Sequence, residues 1–237
     1  MTRLSININK IALIRNSRGS NLPDICQVAK DIEAFGGEGI TVHPRPDQRH
    51  IRFDDIPKLK EIVTTELNIE GYPSPDFMKM VLENVPAQVT LVPDPPDALT
   101  SNTGWDTVHH AIFLTEILSE FREAGIRTSL FVNADPAMVS GAKRIGADRV
   151  ELYTGPYAAH YHKNKEEAIK PYFEASKEAS ILGIGLNAGH DLNLDNTKYF
   201  KQNTVELLEV SIGHALVCDA LYYGLKNIVL MYKNLLR

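Results

Sequence analysis

Arg149-Val150-Glu151-Leu152-Tyr153 is the stretch on which the fold turns. Apolar Val150 and Leu152 alternate with Arg149, Glu151 and Tyr153, the two-residue period of a β-strand whose faces differ. The pattern returns along the chain. Ile6 and Ile8 sit among Ser5, Asn7 and Asn9; Ile40 and Val42 alternate with Thr41 and His43; Leu67 and Ile69 alternate with Asn68 and Glu70. Leu186 and Ala188 bracket Asn187, and Leu208, Val210 and Ile212 interleave with Glu209 and Ser211. Strands are predicted over Leu4–Asn9, Gly39–His43, Glu66–Glu70, Gln88–Val92, Arg127–Asn133, Arg149–Tyr153, Gly185–Ala188 and Glu209–Ile212. Helical patterns fill the gaps, among them Pro73–Glu83, Val108–Ala124, Pro136–Ile145, Lys165–Leu182 and His214–Leu236. Eight strands give roughly 30 residues per βα unit, the repeat of a (β/α)8 TIM barrel. No Gly/Ser/Pro-rich linker divides the chain, so one α/β domain over residues 1–237 is predicted. In a barrel both strand faces leave bulk water, the outer one against helices. An inner face of Asn, His and Glu is no packing core; it predicts a charged funnel for a polar ligand.

Composition bounds the partners. Apolar residues at 43% and charged residues at 23% are those of a folded globular chain. The formal net charge of −5 argues against nucleic acid, a polyanion, as partner. The N-terminus MTRLSININK has no continuous apolar segment of a signal peptide, and no run of eighteen apolar residues exists to span a membrane. A cytoplasmic location is therefore expected. Cys26, in DICQVAK, and Cys218, in ALVCDALYY, read as buried, reduced thiols. Against the acidic balance stands one early basic cluster, Arg45, Arg49, His50 and Arg52.

Four titratable residues fall at or just past strand C-termini: His43, Glu70, Glu151 and His190. Barrel enzymes hold acids and bases there, because rigid strands fix them and loops exclude water. Any one alone has a plainer meaning as a hydrogen-bonded structural group; two His and two Glu together suit several proton transfers. The turn Ser211-Ile212-Gly213-His214-Ala215 opens a helix after the eighth strand, where barrels cradle phosphate on free N–H groups, and Gly189 and Gly213 would let backbone approach closely. The same turn could be no more than a helix cap. Arg18, in the loop RNSRG after the first strand, and Arg45 add anion donors. Pro93–Trp105, long and rich in turn residues, is a candidate lid. Gly183-x-Gly185-x-x-x-Gly189 has the wrong spacing for a dinucleotide fingerprint, and His160-x-His162 lacks a third metal ligand, so no metal site is expected. His109-His110 reads as surface. Lys10, close to a strand end, would permit a Schiff-base enzyme.

The segments GITVHPRPDQRHI, LNIEG, LVPD, VELYTGPYA, GLNAGHDLN and SIGHA resemble the pyridoxine 5′-phosphate synthase family, over essentially the whole chain. The resemblance implies a (β/α)8 barrel with extra helices, assembled as a homo-octamer and using neither metal nor organic cofactor. It implies condensation of 1-deoxy-D-xylulose 5-phosphate with 3-amino-2-oxopropyl phosphate to pyridoxine 5′-phosphate, inorganic phosphate and water. On the matching motifs, His43 and Glu70 would be proton acceptors, His190 a proton donor, and Glu151 a transition-state stabiliser. Asn7, Arg18, Asp191, Gly213 and His214 would contact the amino-ketone phosphate; Asn9, Lys10, Arg45, His50 and Thr100 would contact the deoxyxylulose phosphate. Arg49 and Arg52 receive no role. Two stretches depart from the family pattern. Asn7-Ile8-Asn9-Lys10 stands where Asn-x-Asp-His is familiar, and Asp191 stands where Gly is familiar. A carboxylate beside phosphate would repel it, so Asp191 is expected to use its backbone N–H or to point away. Two other functions stay open at this stage: a barrel isomerase or aldolase for another phosphosugar, working through Lys10, and a non-catalytic phosphometabolite-binding protein.

Overall fold

The computed structural model describes residues 1–94 and 101–237. Eight parallel strands close in chain order into a barrel: β1 (Arg3–Asn7), β2 (Gly39–Val42), β3 (Leu67–Gly71), β4 (Gln88–Leu91), β5 (Arg127–Val132), β6 (Arg149–Tyr153), β7 (Gly185–His190) and β8 (Leu207–Ile212), with β8 pairing back onto β1. Among the described residues the helices are α1 (Asn9–Asn16), α2 (Ile25–Ala34), α3 (Asp55–Ile62), α4 (Pro75–Asn84), α5 (Ala111–Glu123), α6 (Pro136–Arg144), α7 (Gly155–Tyr161), α8 (Lys165–Leu182), α9 (Thr197–Gln202), α10 (His214–Tyr223) and α11 (Leu225–Leu235). Helices α1, α7 and α10 precede α2, α8 and α11 in their crossovers, so three units carry a second helix.

Local chemistry sets the boundaries. Ser74 and Asp135 cap α4 and α6 by accepting from Phe77 N and Ala137 N, each with Pro at the first helical position. Asn164 caps α8, and Gly183, in the left-handed region, ends it. Pro93–Trp105 falls in part on residues 95–100, outside the described residues.

Outward strand residues form the core with the helices. Ile6, Ile40, Val42, Ile69, Val89, Leu130, Val150, Leu152, Ala188, Val210 and Ile212 are fully buried. Leu208 departs from the expected outer face: a register shift at Leu186/Asn187 leaves it exposed at the start of β8. The inner face is polar, but the funnel of the sequence reading needs correction. Its lower part is a plug whose groups mostly satisfy one another. Ser5 and Thr41 hydroxyls meet at 2.7 Å; Asn68 Nδ2 donates to Thr41 Oγ1, and Thr90 Oγ1 and Gln88 Nε2 donate to Asn68 Oδ1. Arg149 reaches Asn187 and Glu209, while Glu66 holds both Arg3 and Arg127 at the barrel floor. Only the upper layer is left for a ligand.

Other expectations also change. The predicted helix His214–Leu236 is two helices, broken at Gly224, whose φ of +76° takes it out of the right-handed helical region. Strand β1 ends at Asn7, so Asn9 and Lys10 open α1, and Arg18 lies exposed beyond that helix, not in a loop directly after the strand. Neither cysteine is fully buried: Cys26 is half-buried and Cys218 exposed, because α10 buries Leu216 and Val217 and turns its other side outward. Both are free thiols. No helix of the described residues is long and apolar enough to cross a membrane.

Candidate active site

The C-terminal mouth of the barrel gathers the side chains that the sequence singled out. His43 follows β2, Glu70 lies in β3, Glu151 in β6, and His190 ends β7. A chain of contacts orders them. Asn7 Nδ2 donates to Glu70 Oε2 at 3.4 Å, Asn7 Oδ1 accepts from Asn9 N at 3.0 Å, and Asn9 Oδ1 accepts from His43 N at 2.9 Å. Asn9 thus fixes the backbone that carries His43. Gly213 packs on Asn7, where an added Cβ would come within 3.0 Å of the Asn7 Cβ, so the start of α10 lies against β1.

Burial and like charge set the protonation of this layer. His43 is 7% exposed, and its pKa is held well below the usual imidazole value by burial and by the Arg45 guanidinium. Burial also raises both carboxyls. Glu70 is pushed up to about 8, with Asp94 adding to the effect of burial. Glu151, 3% exposed, is raised well above its ordinary value by burial and by Glu70. The two carboxyls interact, so their protons come off as a set. His190 sits near enough for its charge to act on His43.

A basic group flanks this layer. Arg45 is buried and ion-paired to Asp94 at 2.8 Å, and Asp94 accepts from Ser101 Oγ at 2.6 Å. His50 is buried beside His43, ring centroids 6.4 Å apart, and burial and Arg45 lower its pKa to about 4. Its Nδ1 accepts from Ile51 N, which assigns the ring proton of the neutral form to Nε2. The His50 loop is clamped from α1: Arg15 and Asn16 donate to the His50 carbonyl, and Arg15 pairs with Asp55 at 2.8 and 2.9 Å. Lys10, exposed on the first turn of α1, and Arg49, paired with Asp47, bring further positive charge to bear on His50. Arg52 anchors its own turn through its backbone N–H to Asp55.

Two predicted features sit differently. The open side of Gly189 faces Glu151, not a ligand: an added Cβ would lie 2.1 Å from Glu151 Oε1. Asp191 directs its N–H to Thr154 Oγ1 and its carboxylate to His190 Nδ1, at 2.6 Å. His190 has a φ of +97°, a conformation that costs a non-glycine residue on the order of 1–3 kcal/mol and that clusters at functional sites. His214 is exposed, its Nε2 3.7 Å from Cys218 Sγ, and Arg18 has no hydrogen bond or ion pair among the described residues. Thr100 lies outside the described residues. Residue spacing gave no sign of Arg15, Asp94, Ser101 or Thr154, all of which hold site residues in place.

Such an arrangement offers two things: acids and bases that exchange protons near neutral pH, and a cationic rim for anions. The model of the family described as pyridoxal phosphate biosynthesis protein PdxJ matches residues 4–237. The chain is 62% identical over 232 residues to the pyridoxine 5′-phosphate synthase of Cytophaga hutchinsonii, covering 98% of each chain. It is 60% identical to those of Phocaeicola vulgatus and Bacteroides thetaiotaomicron over the full length of each. Among solved structures, it is similar to 3-keto-L-gulonate-6-phosphate decarboxylase from Vibrio cholerae, with TM-score 0.66, 10% identity, and 99% and 97% of the two chains covered. A second is phosphoribosylanthranilate isomerase from Thermotoga maritima, with TM-score 0.61, 14% identity, and 100% and 98% covered. At those identities the likeness concerns the barrel alone. Full-length relatives and a matching family model together establish that the chain belongs to the PdxJ family of pyridoxal phosphate biosynthesis proteins.

Proposed function

We propose that this barrel is a pyridoxine 5′-phosphate synthase, condensing 1-deoxy-D-xylulose 5-phosphate with 3-amino-2-oxopropyl phosphate to pyridoxine 5′-phosphate, inorganic phosphate and water. The observation that carries this reading is the convergence of His43, Glu70, Glu151 and His190 on one mouth in a chain about 60% identical to named synthases. Imine formation, dehydration and ring closure each move protons, and each needs a group able to give or take one. His43, kept neutral, is the base ready at pH 7, with Glu70 as a second acceptor when ionised. Glu151, kept protonated, donates a hydrogen bond to an oxygen that gains negative charge, which favours the transition state. His190 returns protons to leaving oxygens.

Two phosphates require two anion sites. Arg45, Lys10 and the Nε2–H of His50 form one, with Asn9, for the deoxyxylulose phosphate. The N-terminus of α10 at Gly213 and His214 forms the other, with Asn7 and Arg18, for the amino-ketone phosphate; the first amides of a helix have no partner within it. Asp191, its N–H held by Thr154 and its carboxylate by His190, borders this site without contacting the phosphate. Lys10 stands exposed on a helix, which does not favour a buried Schiff-base lysine. Phosphorylated substrates do not cross a bilayer unaided, which supports the cytoplasm as the place of work. The homo-octamer has support from a surface that a monomer would expose to water. Leu13 and Ile14 of α1 are exposed, and so, at 77% and 87%, are Leu221 and Tyr222 of the neighbouring α10.

The test is turnover by the purified chain. Release of inorganic phosphate is expected only when both substrates are present; release from either one alone, or none from the pair, overturns the reading.

A further inference from the structure

We propose that Asp191 is a positioning residue for His190: its carboxylate holds the imidazole at Nδ1, so that the proton His190 exchanges is the one on Nε2. The inference rests on the reading of His190 as a proton donor and adds to it the residue through which that donor is set. The geometry is local and specific. His190 Nδ1 and Asp191 Oδ2 are 2.6 Å apart, the short separation of a charge-assisted bond. The turn that carries them is pinned on both sides. Thr154 Oγ1 donates to Gly189 O at 2.7 Å and accepts from Asp191 N at 3.2 Å, so one hydroxyl spans His190. Asn196, 1% exposed, donates from Nδ2 to Asp191 O at 3.4 Å. Between these anchors His190 takes its φ of +97°, and Tyr153 meets its ring edge-on, centroids 5.4 Å apart.

A carboxylate next to an anion site is repulsive unless a donor engages it, and here the donor is His190. When the ring is neutral, an acceptor on Nδ1 fixes the Nδ1–H tautomer and leaves the lone pair on Nε2. When the ring is protonated, the mobile proton is on Nε2. An acid–base histidine that must give and then retake a proton at one place needs that constancy. An amide in place of the carboxylate can instead donate to Nδ1 and favour the opposite tautomer.

The test uses the full chain with 15N-labelled histidine, comparing the parent with Asp191→Asn, Asp191→Glu and His190→Asn, the last assigning the resonance. The parent is expected to show His190 protonated at Nδ1, and Asp191→Asn to move the proton to Nε2. In turnover assays Asp191→Asn should lower kcat about tenfold or more with KM for each substrate changed by less than about threefold, and Asp191→Glu should recover part of the loss. An unchanged tautomer in Asp191→Asn overturns the proposal. So does an unchanged kcat with a shifted KM, which would make Asp191 a substrate contact only. Full activity in His190→Asn would overturn the role of His190 itself; the tautomer is read without substrate, so the two failures are told apart.

Discussion

Glu70 and Glu151 are carboxylic acids in a place that disfavours their charge, and this has a consequence for stability as well as for proton transfer. In the unfolded chain a glutamate titrates near its ordinary 4.5, while in the fold Glu70 is pushed up to about 8. Between those values the folded chain binds more protons than the unfolded one. The stability Glu70 contributes is therefore complete below about pH 4.5 and is lost as pH rises through about 8. Glu70→Gln cannot ionise and keeps an oxygen for Asn7. Thermal melts at pH 5 and pH 8.5 should show a smaller difference in the variant than in the parent, by ~4 kcal/mol or about 8–16 °C. Equal differences would mean that Glu70 is not raised. The placing of His43, Glu70, Glu151 and His190 at one mouth was legible in the sequence because strand termini were, and barrel mouths are built at strand termini. Their supports were not. Asp94 reaches Arg45 across 49 positions and Arg15 reaches Asp55 across 40, and only tertiary structure brings such pairs together.

At the scale of elements, the strands were read well from two-residue periodicity, since each buries one continuous apolar row. Helices with long amphipathic patterns, such as α8, were placed to the residue. The break at Gly224 was not read, because the apolar period continues on both sides of it and one backbone torsion divides it. The register of β6 and β7 gives a sharper test. Tyr153 pairs with Gly189 and Glu151 with Asn187, and Glu151 Oε1 fills the space that a side chain at 189 would need. Gly189→Ala is expected to displace the Glu151 carboxyl, lowering kcat by about tenfold or more while the barrel stays folded by circular dichroism. Parental kcat in a folded Gly189→Ala would show that the position of Glu151 is not critical.

The whole molecule answers the contrast between a net charge of −5 and an early basic cluster. Arg45 and His50 sit in the mouth, Arg49 adds its charge from the rim, and Arg52 serves its own turn. Barrel closure was legible from the count of strands. The plug beneath the site was misread as funnel, because a strand pattern reports a polar face but not whether that face is already paired. The exposed apolar surface of α1 and α10 bears on assembly. By sedimentation the parent is expected to run as a closed oligomer, with Leu221→Asp and Tyr222→Asp together shifting it to smaller species of unchanged fold. A monomeric parent would overturn the proposed octamer.

The central claim, that this mouth joins two phosphorylated substrates into a pyridine ring, is tested most directly by its product. Purified chain given 1-deoxy-D-xylulose 5-phosphate and 3-amino-2-oxopropyl phosphate should yield pyridoxine 5′-phosphate, identified by mass, and an equal amount of inorganic phosphate. His190→Asn should keep the parental melting curve while forming product about a hundredfold or more slowly. No pyridoxine 5′-phosphate from the parent, or parental rates from His190→Asn, would contradict the account.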